Sequence, residues 1–340
     1  MATTTTAPEF TNLADLASAT VGGRAIAAND DFFASKAGLV KAEPPVWIPD
    51  KYTPRGKWMD GWESRRRRVP GHDWCIVQLG MRGVIRGVDV DTSFFTGNFP
   101  SHCSIEAVDQ PSAPRAAVHA VDGPPWTTIL ETTALRGNGS NFLTVDDHRP
   151  WTHLRLSIYP DGGVARLRVY GEVSVDWDRV APPGKAVDLA SIKNGGLFLA
   201  ASDTHYGTRG ALLMPDRAKH MGDGWETKRS RDLNHRDWAI IRLGAPGHVS
   251  KVEIDTNHYK GNYPDRASLE GVMAPNVATG NLAGMGWTTI LPETKLSAHK
   301  RHFYSGMQLA RMGPFSHVRL NIFPDGGVSR LRVYGTLARD

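Results

Sequence analysis

Residues 159–171 read YPDGGVARLRVYG and residues 323–335 read FPDGGVSRLRVYG; the turn aspartates Asp161 and Asp325 lie 164 positions apart. Apolar alternation enters each Pro-Asp-Gly-Gly as HLRLSI or HVRLNI and leaves it as VARLRVY or VSRLRVY. Period-two alternation rich in β-branched residues, bounded by Gly, Pro and Asp, is the signature of strands. Pro160 and Pro324 end the preceding strands, and the paired glycines supply the positive φ of a tight turn, so both stretches read as hairpins.

The same duplication extends outward. Asp60–Glu63 (DGWE) recurs at Asp223–Glu226, and DTSFFTGNFP from Asp91 recurs as DTNHYKGNYP from Asp255. WTTIL at Trp126 recurs at Trp287, and the lead-in DLASATVGG at Asp15 recurs as DLASIKNGG at Asp188. Further short strands are expected at Trp74–Leu79 and Val84–Val90, with DWAIIRL and VSKVEI as their partners. No long stretch keeps a helical period. The pattern predicts an all-β chain of two tandem jelly-roll β-sandwich repeats. Its expected divisions are an N-terminal tail (1–14), a first repeat (15–173), a linker (174–187) and a second repeat (188–340). The period far exceeds the ~20–50 residues of a solenoid unit, and each copy is long enough to bury its own core.

Forty Lys and Arg against 35 Asp and Glu leave a net charge of +5, and Arg65–Arg68 form a basic run. The acids are interspersed, however, and no single-sign stripe with interleaved aromatics appears, so no nucleic-acid partner is expected. No apolar run reaches the ~18 residues of a membrane span, and the first twenty residues lack the basic start and apolar centre of a secretion signal. Cys75 and Cys103 align with Ala239 and Ala267. A position that takes either residue reads as a small buried slot, which disfavours disulfide, zinc and nucleophile roles. A reducing, cytoplasmic setting is expected.

Polar positions shared by both halves are Asp30 and Asp203, Asp60 and Asp223, Glu63 and Glu226, Asp91 and Asp255, and Asn98 and Asn262. At the end of a sandwich such carboxylates can move protons; equally, Asp and Asn can hold turns by bonding their own backbone. The halves differ in histidine. His205, His258, His299 and His302 align with Phe32, Phe94, Asn138 and Asn141, whereas His153 and His317 match one another. The unmatched four suggest proton transfer or metal binding in the second copy. His258, beside Asp255, is the first choice, and His299 with His302 is a weak metal pair. No dinucleotide fingerprint, P-loop, nucleophile elbow or H-E-x-x-H occurs. The sequence requires no cofactor and leaves a divalent metal open.

Together NDDFF, DGWESRR, DWCIVQLG, DTSFFTGNFP and PDGGVARLRVYG, each with its second-half partner, resemble the allantoicase family over about residues 15–336. The resemblance implies two galactose-binding-like jelly rolls that hydrolyse allantoate to ureidoglycolate and urea. The bond cut in that reaction is an aminal C–N bond, which calls for an acid and a base rather than a covalent nucleophile. On this reading Glu226, Asp255 and His258 transfer protons, with Glu63 and Asp91 as first-half candidates. Arg229 or Arg65 suits the substrate carboxylate, and Asp30, Asp203, Asn98 and Asn262 contribute to binding. A small-molecule substrate is the expected partner, and a homo-oligomer is compatible with two like sandwiches per chain. The rival readings are a related ureide hydrolase and a non-catalytic carbohydrate-binding tandem using Trp62, Trp225, Trp126 and Trp287.

Overall fold

A computed structural model describes residues 7–111, 125–232 and 234–339. The chain divides into two compact units, Met1–Ser174 and Val175–Asp340. Each is a β-sandwich built in the same order, so the all-β, two-repeat expectation holds.

One long strand organises each sandwich. Asp73–Asp91 is continuous over 19 residues, where the sequence suggested two separate strands. Its first part pairs with Arg24–Ala28 and with Pro150–Tyr159, and the sheet continues through His102–Val108 to Thr127–Ala134. Its second part pairs with Arg166–Val173 and Phe142–Thr144, and Ala14–Asp15 completes that layer. Register shifts along the strand mark where it passes from one layer to the other. Bulges of this kind let a strand bend without losing its pairing on either side. Asp237–Asp255 does the same in the second unit.

Leu154, Leu156, Ile158, Leu167 and Val169 fill the first core, and Val318, Leu320, Ile322, Leu331 and Val333 fill the second. All are fully buried, each worth ~1.5–3 kcal/mol relative to exposure. Cys75 and Cys103 are buried and free, and burial pushes the Cys103 thiol up to about 12.

One expectation changes. Pro150–Tyr159 and Arg166–Val173 do not pair with each other, so Pro-Asp-Gly-Gly is not a hairpin turn. It carries the chain from one layer to the other, and Phe323–Pro324 begins the same crossing in the second unit. The described part of the expected N-terminal tail also packs on the first repeat. Glu9–Asn12 form a 3₁₀ turn, and the Phe10 ring packs against Phe142 and Tyr170. Among the described residues no helix is long and apolar enough to cross a membrane.

Candidate active site

The crossing turn assembles the site. Gly162 has φ 138°, and a methyl there would come within 2.7 Å of the Asn98 carbonyl oxygen. A methyl on Gly163 would stand 1.9 Å from the Phe95 ring. Only glycine lets the turn lie this close to the segment Asp91–Pro100. Gly163 then pairs with Glu63 while its N–H donates to the Asn98 carbonyl at 2.8 Å. Glu63 and Asn98 are thereby held side by side, and the Asn98 amide donates to Glu63 Oε1 at 2.7 Å. The second unit repeats the device: Gly327 pairs with Glu226, its N–H bonds the Asn262 carbonyl at 2.8 Å, and the Asn262 amide donates to Glu226. Among the described residues each glutamate has that amide as its one side-chain partner, so Oε2 stays open.

Both pairs edge a pocket. In the second unit the cavity holds about 460 Å³, and its lining includes Tyr206, Glu226, Arg229, Asn262 and Tyr263. Arg229 has no partner among the described residues. In the first unit the cavity holds about 270 Å³ and is lined by Phe33, Trp47, Lys57, Glu63, Phe94 and Asn98, among others. Burial pushes the Glu63 carboxyl above the usual carboxylate range, and the Asn98 hydrogen bond opposes that only in part.

Other shared acids hold the fold. Asp30 and Asp203 cap their own loops by accepting the Phe32 and His205 N–H groups, and their carbonyls accept the Trp62 and Trp225 indole N–H. Arg65 closes on Asp30 at 2.6 Å rather than facing the pocket. Asp60 receives the fully buried Arg166 at 2.7 Å, and Asp223 receives Arg330 at 3.2 Å. Asp91 accepts the Ser93 N–H, and Asp255 accepts the Asn257 N–H and Arg217 at 3.0 Å. Asp255 is fully buried and does not line the pocket. Trp62 and Trp225 are fully buried as well, which removes them as sugar platforms.

Two of the histidines, His299 and His302, prove to be stand-ins for asparagine. Asn138 Oδ1 accepts the Phe94 N–H at 2.9 Å, and His299 Nδ1 accepts the His258 N–H at 2.8 Å. Phe94, Asn138, His258 and His299 all have positive φ, so this is one loop geometry made twice. Asn141 accepts the Arg136 N–H at 2.8 Å and donates to the Val90 carbonyl at 2.9 Å. His302 does both jobs with its two ring nitrogens, accepting from Ser297 at 2.9 Å and facing the Ile254 carbonyl at 3.1 Å. With those lone pairs committed to backbone, His299 and His302 are not a metal pair. Among the described residues no group of three or more His, Cys, Asp or Glu could hold a metal ion. His258 Nε2 lies 2.9 Å from the Ala218 carbonyl, and His258 is not part of the lining of the Glu226 pocket.

Sequence reasoning passed over Arg166 and Arg330. Their signal was available: an arginine kept in both copies directly after the buried Gly-Val-Ala or Gly-Val-Ser that follows the turn, at the first position of the strand. It also missed Glu253, fully buried between Arg217 at 2.5 Å and Arg301 at 2.8 Å. Its counterpart Asp89 has neither arginine, since Pro44 and Ser140 occupy those positions.

The fold and these stations define a tandem β-sandwich protein that presents one glutamate–asparagine pair per repeat at a pocket. The allantoicase repeat model matches residues 14–174 and again 187–338, so the chain belongs to the allantoicase family. A probable allantoicase 1 of Burkholderia mallei is 49% identical over 335 residues, 97% of each chain. A probable allantoicase of Ralstonia nicotianae is 48% identical over 334 residues, again 97% of each. The crystal structure of allantoicase from Saccharomyces cerevisiae superposes with a TM-score of 0.79 at 34% identity, covering 96% of both chains.

Proposed function

We propose that the chain is a hydrolase that cleaves allantoate to ureidoglycolate and urea, with the Glu226–Asn262 pocket of the second repeat as its reaction site. Membership of the allantoicase family over nearly the whole chain supports the activity. The observation that carries the site is the lining of that pocket: among the described residues, Glu226 keeps one oxygen open while Asn262 fixes the other, and the guanidinium of Arg229 is unpaired.

Arg229 takes the substrate carboxylate through its planar fork. Glu226 acts as the acid that passes a proton to the ureido nitrogen that leaves. The C–N bond breaks with its electron pair on that nitrogen, which departs as urea, while the lone pair of the remaining ureido nitrogen steadies the electron-poor carbon. Water adds to that carbon and gives a proton back to Glu226, restoring the acid. One carboxyl thus serves as acid and then base, as the acid/base residue does in retaining glycoside hydrolysis.

Purified protein given allantoate should release one urea per molecule consumed. Release of none, with allantoate recovered intact, overturns the proposal. Running the assay with and without a chelator tests for a divalent ion; equal rates are expected, since no step above draws on one.

A further inference from the structure

The two repeats differ most where the first is longer. Leu39 and Asp60 are 21 positions apart, while their counterparts Leu212 and Asp223 are 11 apart, so the first repeat carries ten residues that the second lacks. This extra chain includes the small hairpin Tyr52–Thr53 with Gly56–Lys57, and it supplies Trp47, Gly56 and Lys57 to the wall of the Glu63–Asn98 pocket. The Trp47 indole stacks on Phe94 with ring centres 6.0 Å apart and an interplanar angle of 28°. The Lys57 ammonium sits 4.1 Å from the centre of the same indole. Phe94 itself is held in place from the far side, by its backbone bond to Asn138.

A glutamate–asparagine pair has thus been given aromatic walls and a cation. With the Asn98 amide spent on Glu63 Oε1, the pair offers two acceptors, Glu63 Oε2 and Asn98 Oδ1. Two acceptors side by side suit a planar group rich in N–H, and flat aromatic faces suit its π-surface. Lys57, in the pocket wall with its ammonium over Trp47, suits a carboxylate on the same molecule. We infer that the first repeat holds a second ligand site, separate from the reaction site, that takes a ureido carboxylate: ureido N–H on Glu63 and Asn98, carboxylate on Lys57. Substrate and ureidoglycolate share that chemistry, and either could fill the site. The inference rests on the reading above that reaction takes place at Glu226.

N-Carbamoylglycine has one ureido group and one carboxylate but no aminal bond, so it binds without being cleaved. Calorimetric titration of the full chain with it should give two sites per chain. Trp47→Ala should leave one site, and Lys57→Glu, a change at an exposed position, should weaken one site about tenfold or more. Methylurea, which lacks the carboxylate, should be indifferent to Lys57→Glu. Arg229→Glu should weaken the other site about tenfold or more. A single site that Arg229→Glu weakens overturns this inference and leaves the reaction site standing. A single site that Lys57→Glu weakens does the reverse. Two sites indifferent to both Trp47→Ala and Lys57→Glu also overturn it, as does no binding at all.

Discussion

His302 and Asn141 answer one backbone demand with different side chains. Each must accept an N–H and donate to a carbonyl, from Ser297 to Ile254 in one case and from Arg136 to Val90 in the other. Burial lowers the His302 imidazole below its ordinary value, against a rise from the Ile254 carbonyl, and a neutral ring is what an accepting nitrogen requires. His302→Asn should therefore change stability by less than ~1 kcal/mol, whereas His302→Ala strands two backbone groups and should cost ~1–3 kcal/mol. Urea unfolding midpoints of the two variants check this; equal losses would contradict it. The same residue shows where sequence reading fell short. A difference between the copies looked like new chemistry, because partners 48 positions away in the chain, such as Ile254, leave no local trace.

At the level of elements, the strands and their blocks were legible because alternation and turn chemistry are local. The crossing at Pro-Asp-Gly-Gly was not, since a turn motif does not say which strand the chain meets next. That crossing matters more than a hairpin would: it brings Glu226 and Asn262 together through Gly327. A methyl on Gly327 would lie 2.0 Å from the Tyr259 ring. Gly327→Ala should cost ~1–3 kcal/mol by overpacking and reduce turnover beyond the loss of folded protein, measured as kcat per folded molecule. The buried ion pairs carry the opposite risk. Arg166→Ala leaves the buried Asp60 without that guanidinium and should cost ~3–5 kcal/mol, read from thermal unfolding; a loss under ~1 kcal/mol would show the pair to be dispensable.

Across the whole molecule the copies have diverged in their buried carboxyls. In the second, burial would raise Glu253, but the hydrogen bonds of Arg301 and Arg217 prevail and hold it below the ordinary range. In the first, burial dominates and pushes Asp89 up to about 6. A folded-state value raised above the unfolded 3.8 means that the folded chain takes up a proton first as pH falls. Asp89 therefore destabilises the first repeat above about pH 6, and that penalty fades toward pH 4. Asp89→Asn should raise the unfolding temperature at pH 8, for a gain of ~1–3 kcal/mol, and by about half as much at pH 5. Differential scanning calorimetry at both values checks it. Equal gains at the two pH values would point to packing rather than charge.

The most direct test of the account is urea release from allantoate by Glu226→Gln, with folding confirmed by circular dichroism. Glutamine keeps the bond from Asn262 but cannot deliver or recover a proton, so kcat should drop by about 10²–10⁴-fold. Turnover within twofold of the unaltered protein would contradict the placement of the reaction in the second repeat.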